Sequence, residues 1–156
     1  MTATGLRADE ETPHAWRIEF LITLAQLLGC TNAVGSILPD GTRPDVLRID
    51  PVGEMLFIGD AKDTEKPGCA ATQCRLFRYL RWIASHRLRQ RGLSVFALCF
   101  GRRDDQAGWL STVTMLASEA GLPDIAPQVR KFGRDTIVVW LVYENSRDTR
   151  PKQIYS

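Results

Sequence analysis

Asp45, Asp60 and Lys62 are the residues of this chain whose types and spacing can do chemistry together. Arg43 to Asp50 and Glu54 to Lys62 read as two strands joined by Pro51-Val52-Gly53, a hairpin signal. With Val52-Gly53 as the connecting loop, Ile49 faces Leu56, Leu47 faces Ile58 and Asp45 faces Asp60. Apolar residues then meet apolar residues along one face, and that match sets the register. The open end of the same face carries two opposed carboxylates. Opposed side chains in an antiparallel pair have Cβ atoms about 4.5–5.5 Å apart. Carboxylates that close repel, and one takes up a proton unless a cation sits between them. Magnesium suits such a pair, because it keeps several waters and needs only one or two protein carboxylates. Lys62 lies two residues beyond Asp60, so strand alternation puts it on that face too. An ammonium there can orient or help deprotonate a water that attacks a phosphodiester.

The elements that must position these groups follow from the pattern. Residues 1–12 read as a flexible leader, 13–144 as one domain, and 145–156 as a polar, loose tail. A helix runs from His14 to Leu28, with Thr12 as cap and Pro13 in its first turn. Its apolar side is expected to carry Trp16, Phe20, Leu24, Leu27 and Leu28, and Gly29 stops it. Ala33 to Leu38 is a short apolar strand followed by the turn Pro39-Asp40-Gly41. After the hairpin comes a long helix from Cys69 to Arg91, stopped by Gly92. Its apolar residues Leu76, Leu80, Ile83 and Leu88 keep helical spacing, while Arg75, Arg78 and Arg81 share another face. Leu93 to Phe100 suits a buried central strand. Trp109 to Ala120 is a further helix and Ile137 to Tyr143 a last strand. The order is αβββαβ followed by αβ, an α/β protein with a central mixed sheet flanked by helices.

Composition narrows the class. The 156 residues are 44% hydrophobic and 24% charged, enough for one ordinary globular core. Lacking any apolar run of membrane-spanning length or a signal peptide, the chain is expected in the cytoplasm. Cys30, Cys69, Cys74 and Cys99 show no paired spacing, so they read as buried or half-buried thiols rather than a zinc site. The net charge of +2 hides an uneven distribution. Asp40 to Glu65 holds seven acids; Gln73 to Arg103 holds eight arginines and no acid. An acidic segment running into a basic one suits a protein that holds a metal cation and faces a polyanion. Arg102 and Arg103 follow a buried strand, at an edge where a nucleic-acid backbone could pass.

The residues Arg43-Pro44-Asp45-Val46 and Ile58-Gly59-Asp60-Ala61-Lys62, in this order of elements, resemble the PD-(D/E)XK nuclease superfamily with its restriction-endonuclease-like core. The likeness spans roughly residues 14–100; the later helix and strand look like the usual extension of the sheet. By that resemblance, Asp45, Asp60 and the backbone carbonyl of Ala61 bind magnesium, with manganese as a substitute, and Lys62 acts on the water. Glu19 matches the glutamate that many members place on the first helix near the metal. Gln73, followed by Phe77 or Tyr79, is similar to a glutamine–aromatic pattern of several branches and would contact a phosphate. Pro39-Asp40 is a second candidate for the first acid, but it sits in a turn ahead of the hairpin register.

The expectation is a metal-dependent nuclease that hydrolyses nucleic acid, DNA foremost, with Gln73, Arg75, Arg78, Arg81, Arg102 and Arg103 touching the substrate. The alternative is a catalytically silent nuclease-fold module that binds nucleic acid or a protein partner. Cutting both strands of a duplex needs two sites, so a homodimer is compatible with the sequence and not required by it.

Overall fold

The computed structural model describes residues 13–30, 37–50, 54–87 and 91–145. The element order is α1 (Pro13–Leu27), β1 (Val46–Asp50), β2 (Met55–Ala61), α2 (Ala70–His86), β3 (Leu93–Phe100), α3 (Gln106–Glu119), β4 (Gln128–Phe132) and β5 (Thr136–Glu144). The strands form one mixed sheet in the order β1-β2-β3-β5-β4. Among the described strands only β2 and β3 run parallel, and α2 lies between them in the chain.

The sheet separates two apolar layers because side chains alternate along each strand. On one face Leu47, Leu56, Ile58, Phe96, Leu98, Val139 and Leu141 pack under α2 and α3, which contribute Leu76, Leu80, Ile83, Trp109 and Val113. On the other, Val46, Phe57, Ala61, Val95, Ala97 and Cys99 pack under α1. Gly59 lets α1 come this close: a Cβ there would stand 3.0 Å from Phe57 Cε1 and 3.2 Å from Leu21 Cδ1. Phe57 and Leu21 are both fully buried, so neither has room to yield.

Several sequence expectations are revised. Ala33 to Leu38 was expected as a strand; 33–36 lie outside the described residues, and Ile37 and Leu38 are irregular. The strand expected from Arg43 begins at Val46, because Pro44 has no N–H to give a ladder. The second helix ends at His86 rather than Arg91, with Arg87 as its C-cap. On α1 Leu24 is buried and Phe20 and Leu28 pack against the sheet as expected, joined by Leu21 and Ala25, whereas Trp16 is 45% and Leu27 79% exposed. Cys30 and Cys99 are buried as expected, but Cys69 and Cys74 are exposed.

The strand β4 was not anticipated. Of its five residues only Val129 and Phe132 are half-buried and the rest are exposed, which leaves a weak apolar signal at a sheet edge. The leader and residues 146–156 lie outside the described residues. Asn145, expected in the loose tail, is buried: its N–H donates to Gly92 O at 2.7 Å and its Oδ1 accepts from Ser94 Oγ at 2.8 Å. Among the described residues, no helix is long and apolar enough to cross a membrane.

Candidate metal and phosphate site

The hairpin register is the expected one. Leu47 pairs with Ile58 and Ile49 with Leu56, and the ladder ends at Val46 opposite Gly59. One step further the same register sets Asp45 against Asp60. The ladder does not continue there. Instead the Asp45 side chain turns in and its Oδ2 accepts the backbone N–H of Ala61 at 2.7 Å. A backbone donor to an ionised carboxylate is a strong hydrogen bond, and it clamps Asp45 on the edge of β2. A strand residue directs its N–H and C=O to the same side, so the Ala61 carbonyl opens on the Asp45 side as well.

Asp60 is 3% exposed and Lys62 1%. Lys62 Nζ stands 2.7 Å from Asp60 Oδ2 and 3.7 Å from Glu65 Oε2. At 2.7 Å the buried Asp60 Oδ2 has the Lys62 ammonium as its partner. Burial pushes the Asp60 carboxyl up to about 7; Lys62 opposes the shift and Asp45 adds to it. Asp60 is therefore a carboxylate held out of water with one lysine as counter-charge and a second carboxylate beside it. Such an arrangement favours any cation that can reach it.

The first helix supplies partners that the sequence did not flag. His14 Nε2 lies 3.7 Å from Asp45 Oδ1, and His14 Nδ1 lies 3.1 Å from Asp63 Oδ2. Arg17 donates to Asp63 Oδ1 at 2.6 Å and to the Lys62 carbonyl at 3.2 Å. Its guanidinium passes over Gly101, where a Cβ would stand 2.7 Å from Nη2. A glycine at the end of β3 thus admits the arginine that ties α1 to the segment after β2. His14 and Arg17 sit three apart on one helical face, a spacing visible in the sequence. What hid them is that only the packing of α1 aims that face at β2.

Glu19 does not join this group. It is exposed, and standing two positions from both Arg17 and Leu21 it lies on the opposite side of α1. The expected ligand set reduces to Asp45, Asp60 and the Ala61 carbonyl. Among the described residues, no group of three or more His, Cys, Asp and Glu could hold a metal ion. Two carboxylates, a carbonyl and retained waters fit magnesium in donor type, although the Lys62 ammonium already stands on Asp60 Oδ2. Asp40, the other acid considered, stays in its turn and accepts from the Thr42 N–H at 2.9 Å.

The basic residues divide. Arg75 and Arg78 are exposed on α2. Arg81 Nη1 donates to Ala120 O at 2.9 Å, capping α3. Gln73 Nε2 donates to Pro67 O at 2.7 Å and so braces the loop before α2. Arg102 Nη2 donates to Gly133 O at 2.8 Å, and Arg102 and Arg103 line a cleft of about 930 Å³ beside Arg17 and Asp63. Tyr79 is buried against the carboxylate end of the sheet, its hydroxyl donating to Arg43 O at 3.3 Å. Burial drives its phenol well above the ordinary tyrosine range, with the Asp60 charge adding to the rise.

Comparison with known proteins adds no relative. No family model matches the chain, no curated protein matches it, and no solved structure matches it.

Were a nucleic acid bound across α2, replacing Arg75 and Arg78 together by glutamine would lower the slope of log affinity against log salt by about 2, at roughly 0.9 per phosphate contact. Arg81 is left in place because it caps α3. A slope unchanged in fluorescence anisotropy titrations over a salt series would remove α2 from the nucleic-acid footprint.

Proposed function

We propose that the chain is a magnesium-dependent nuclease with a restriction-endonuclease-like core, acting on DNA. The observation that carries the reading is the pair Asp45 and Asp60: Asp45 accepts the Ala61 N–H next to Asp60, its charge raises the Asp60 carboxyl, and Lys62 stands 2.7 Å from Asp60. A divalent cation on these carboxylates supplies Lewis-acid activation of a water and compensates charge at the phosphoryl oxygen. Asp45, anchored by the Ala61 N–H, presents a fixed ligand. Lys62 holds its ammonium next to Asp60, where it can orient the attacking water. Arg75 and Arg78 on α2 and Arg103 by the cleft are the phosphate contacts; manganese is expected to replace magnesium.

A second reading has its own observation. Asp60 and Lys62 are both shut from solvent, which also describes a structural ion pair in a nucleic-acid-binding module that does not cut. Incubation of the purified protein with duplex, single-stranded, branched and RNA substrates separates the two. Cleavage that appears with magnesium or manganese and stops in chelator is the expected result. Retention of these substrates with no metal-dependent cutting of any of them establishes the silent module instead.

A further inference from the structure

We propose that the cleft beside the carboxylate pair takes an unpaired nucleic-acid strand, one base lying on the Trp16 ring and the flanking phosphates on Arg102, Arg103 and Arg134. The inference rests on the nuclease reading and names the substrate form that this site would receive. The cleft, about 930 Å³, is enclosed by the start of α1, the segments after β2 and β3, and the β4–β5 turn. That volume lies in the usual range for pockets that enclose a small ligand, roughly 300–1,000 Å³.

Trp16 is 45% exposed at the cleft wall although it is among the largest apolar side chains of the chain. It is not loose. Its ring stacks on Phe20 with centroids 5.9 Å apart and planes at 18°, and Phe20 packs on Phe132 at 4.5 Å. An aromatic face held from behind and open in front is a platform for a base, and every base offers a π-face.

The polar wall has the complementary charge. Arg102 and Arg103 come from the end of β3 and Arg134 from the β4–β5 turn. The Arg102 bond to Gly133 O joins those two segments, so the arginines share one rim. Three acids also line the cleft. Asp63 is paired with Arg17 and His14, and Asp104 Oδ2 accepts the Gly101 N–H at 3.3 Å. Asp135 is exposed at the turn. A strand, rather than a lone nucleotide, follows from position. Arg17 forms one cleft wall and donates to the Lys62 carbonyl, so the cleft and the Asp45–Asp60 pair lie at the same end of β2. A duplex would have to unstack a base to reach Trp16, at a cost that an unpaired strand does not meet.

The test is fluorescence anisotropy in chelator with short labelled oligothymidine, oligouridine and a blunt duplex of equal length, followed by cleavage of the same three in magnesium. One of the two single strands is expected to bind roughly tenfold or more tighter than the duplex, as a stacked base implies. The tighter of the two identifies DNA or RNA. Trp16→Ala should reduce that preference by roughly tenfold and Trp16→Phe should keep most of it. Joint replacement of Arg102, Arg103 and Arg134 by glutamine should also reduce it. Equal binding of duplex and single strands overturns the inference. So does a preference that survives Trp16→Ala in a protein whose melting temperature matches wild type. Magnesium-dependent cutting without strand preference leaves the nuclease reading standing and removes the cleft from it. A Trp16-dependent preference with no cutting does the reverse.

Discussion

Asp60→Asn is expected to lower magnesium-dependent cleavage by roughly 10²–10³-fold, the scale on which one preorganised charge-stabilising group acts. Asp45→Asn should fall in the same range, and both should leave a folded protein. The choice of asparagine follows from the structure. Asp60 and Lys62 are buried together at 2.7 Å, so Asp60→Ala would leave an ammonium with only the more distant, half-exposed Glu65. Breaking a buried pair by deleting one partner costs about 3–5 kcal/mol. Inactivity of the alanine variant would then report unfolding as readily as chemistry. Asparagine keeps an oxygen that can face Nζ and removes the charge a cation needs. Lys62→Met applies the same logic to the other partner, preserving the buried stem while deleting the ammonium. Initial rates on the substrate the wild type cuts, with melting temperatures in parallel, decide the matter. An Asp60→Asn protein that retains most of the wild-type rate would show that this carboxylate holds no catalytic cation.

How much of this site could be read beforehand depends on the range over which each feature is encoded. The hairpin register was legible because it is local: apolar residues alternate on both arms and only one pairing matches Leu47 with Ile58 and Ile49 with Leu56. The nearness of Asp45 and Lys62 to Asp60 followed from that alone. The long central strand Leu93–Phe100 was equally plain, since an unbroken apolar run has few other places to go.

The orientation of α1 was not legible. Trp16, Phe20, Leu21, Leu24 and Leu27 spread apolar residues around much of its surface, so periodicity does not choose a face. Contact with Gly59 and the threading of Arg17 over Gly101 choose it, and both are long-range. Once that face is fixed, His14 and Arg17 enter the site and Glu19 leaves it. The arginines show the same limit. Clustering along the chain identified a basic stretch, but packing against the ends of α3 and β5 assigned Arg81 to Ala120 O and Arg87 to Glu144 O. Charge count alone does not tell a phosphate contact from a helix cap.

The metal-free protein should become less stable as pH rises from about 4 to about 7, and Asp60→Asn should remove that part of the decline. In the unfolded chain Asp60 titrates near the ordinary 3.8, while in the folded protein burial pushes it up to about 7. Between those values the folded state keeps a proton that the unfolded state has lost, so folding is progressively penalised as pH increases. The stabilisation is fully present below 3.8 and is lost as pH passes 7. At about 1.4 kcal/mol per unit of displacement, the change amounts to roughly a few kcal/mol. Loss of the Lys62 counter-charge in Asp60→Asn shifts its whole curve by a constant and leaves the slope difference intact. The quantity to measure is therefore the stability of the variant minus that of wild type, from urea unfolding in chelator across pH 4–8. It should climb through this window and flatten above it. Magnesium should act in the opposite sense on the wild type, because a cation on Asp60 competes with the proton. The rise in melting temperature on adding magnesium should be larger at pH 8 than at pH 5, and absent in Asp60→Asn. A magnesium effect that ignores pH, or that persists in the variant, would place the cation elsewhere on the protein.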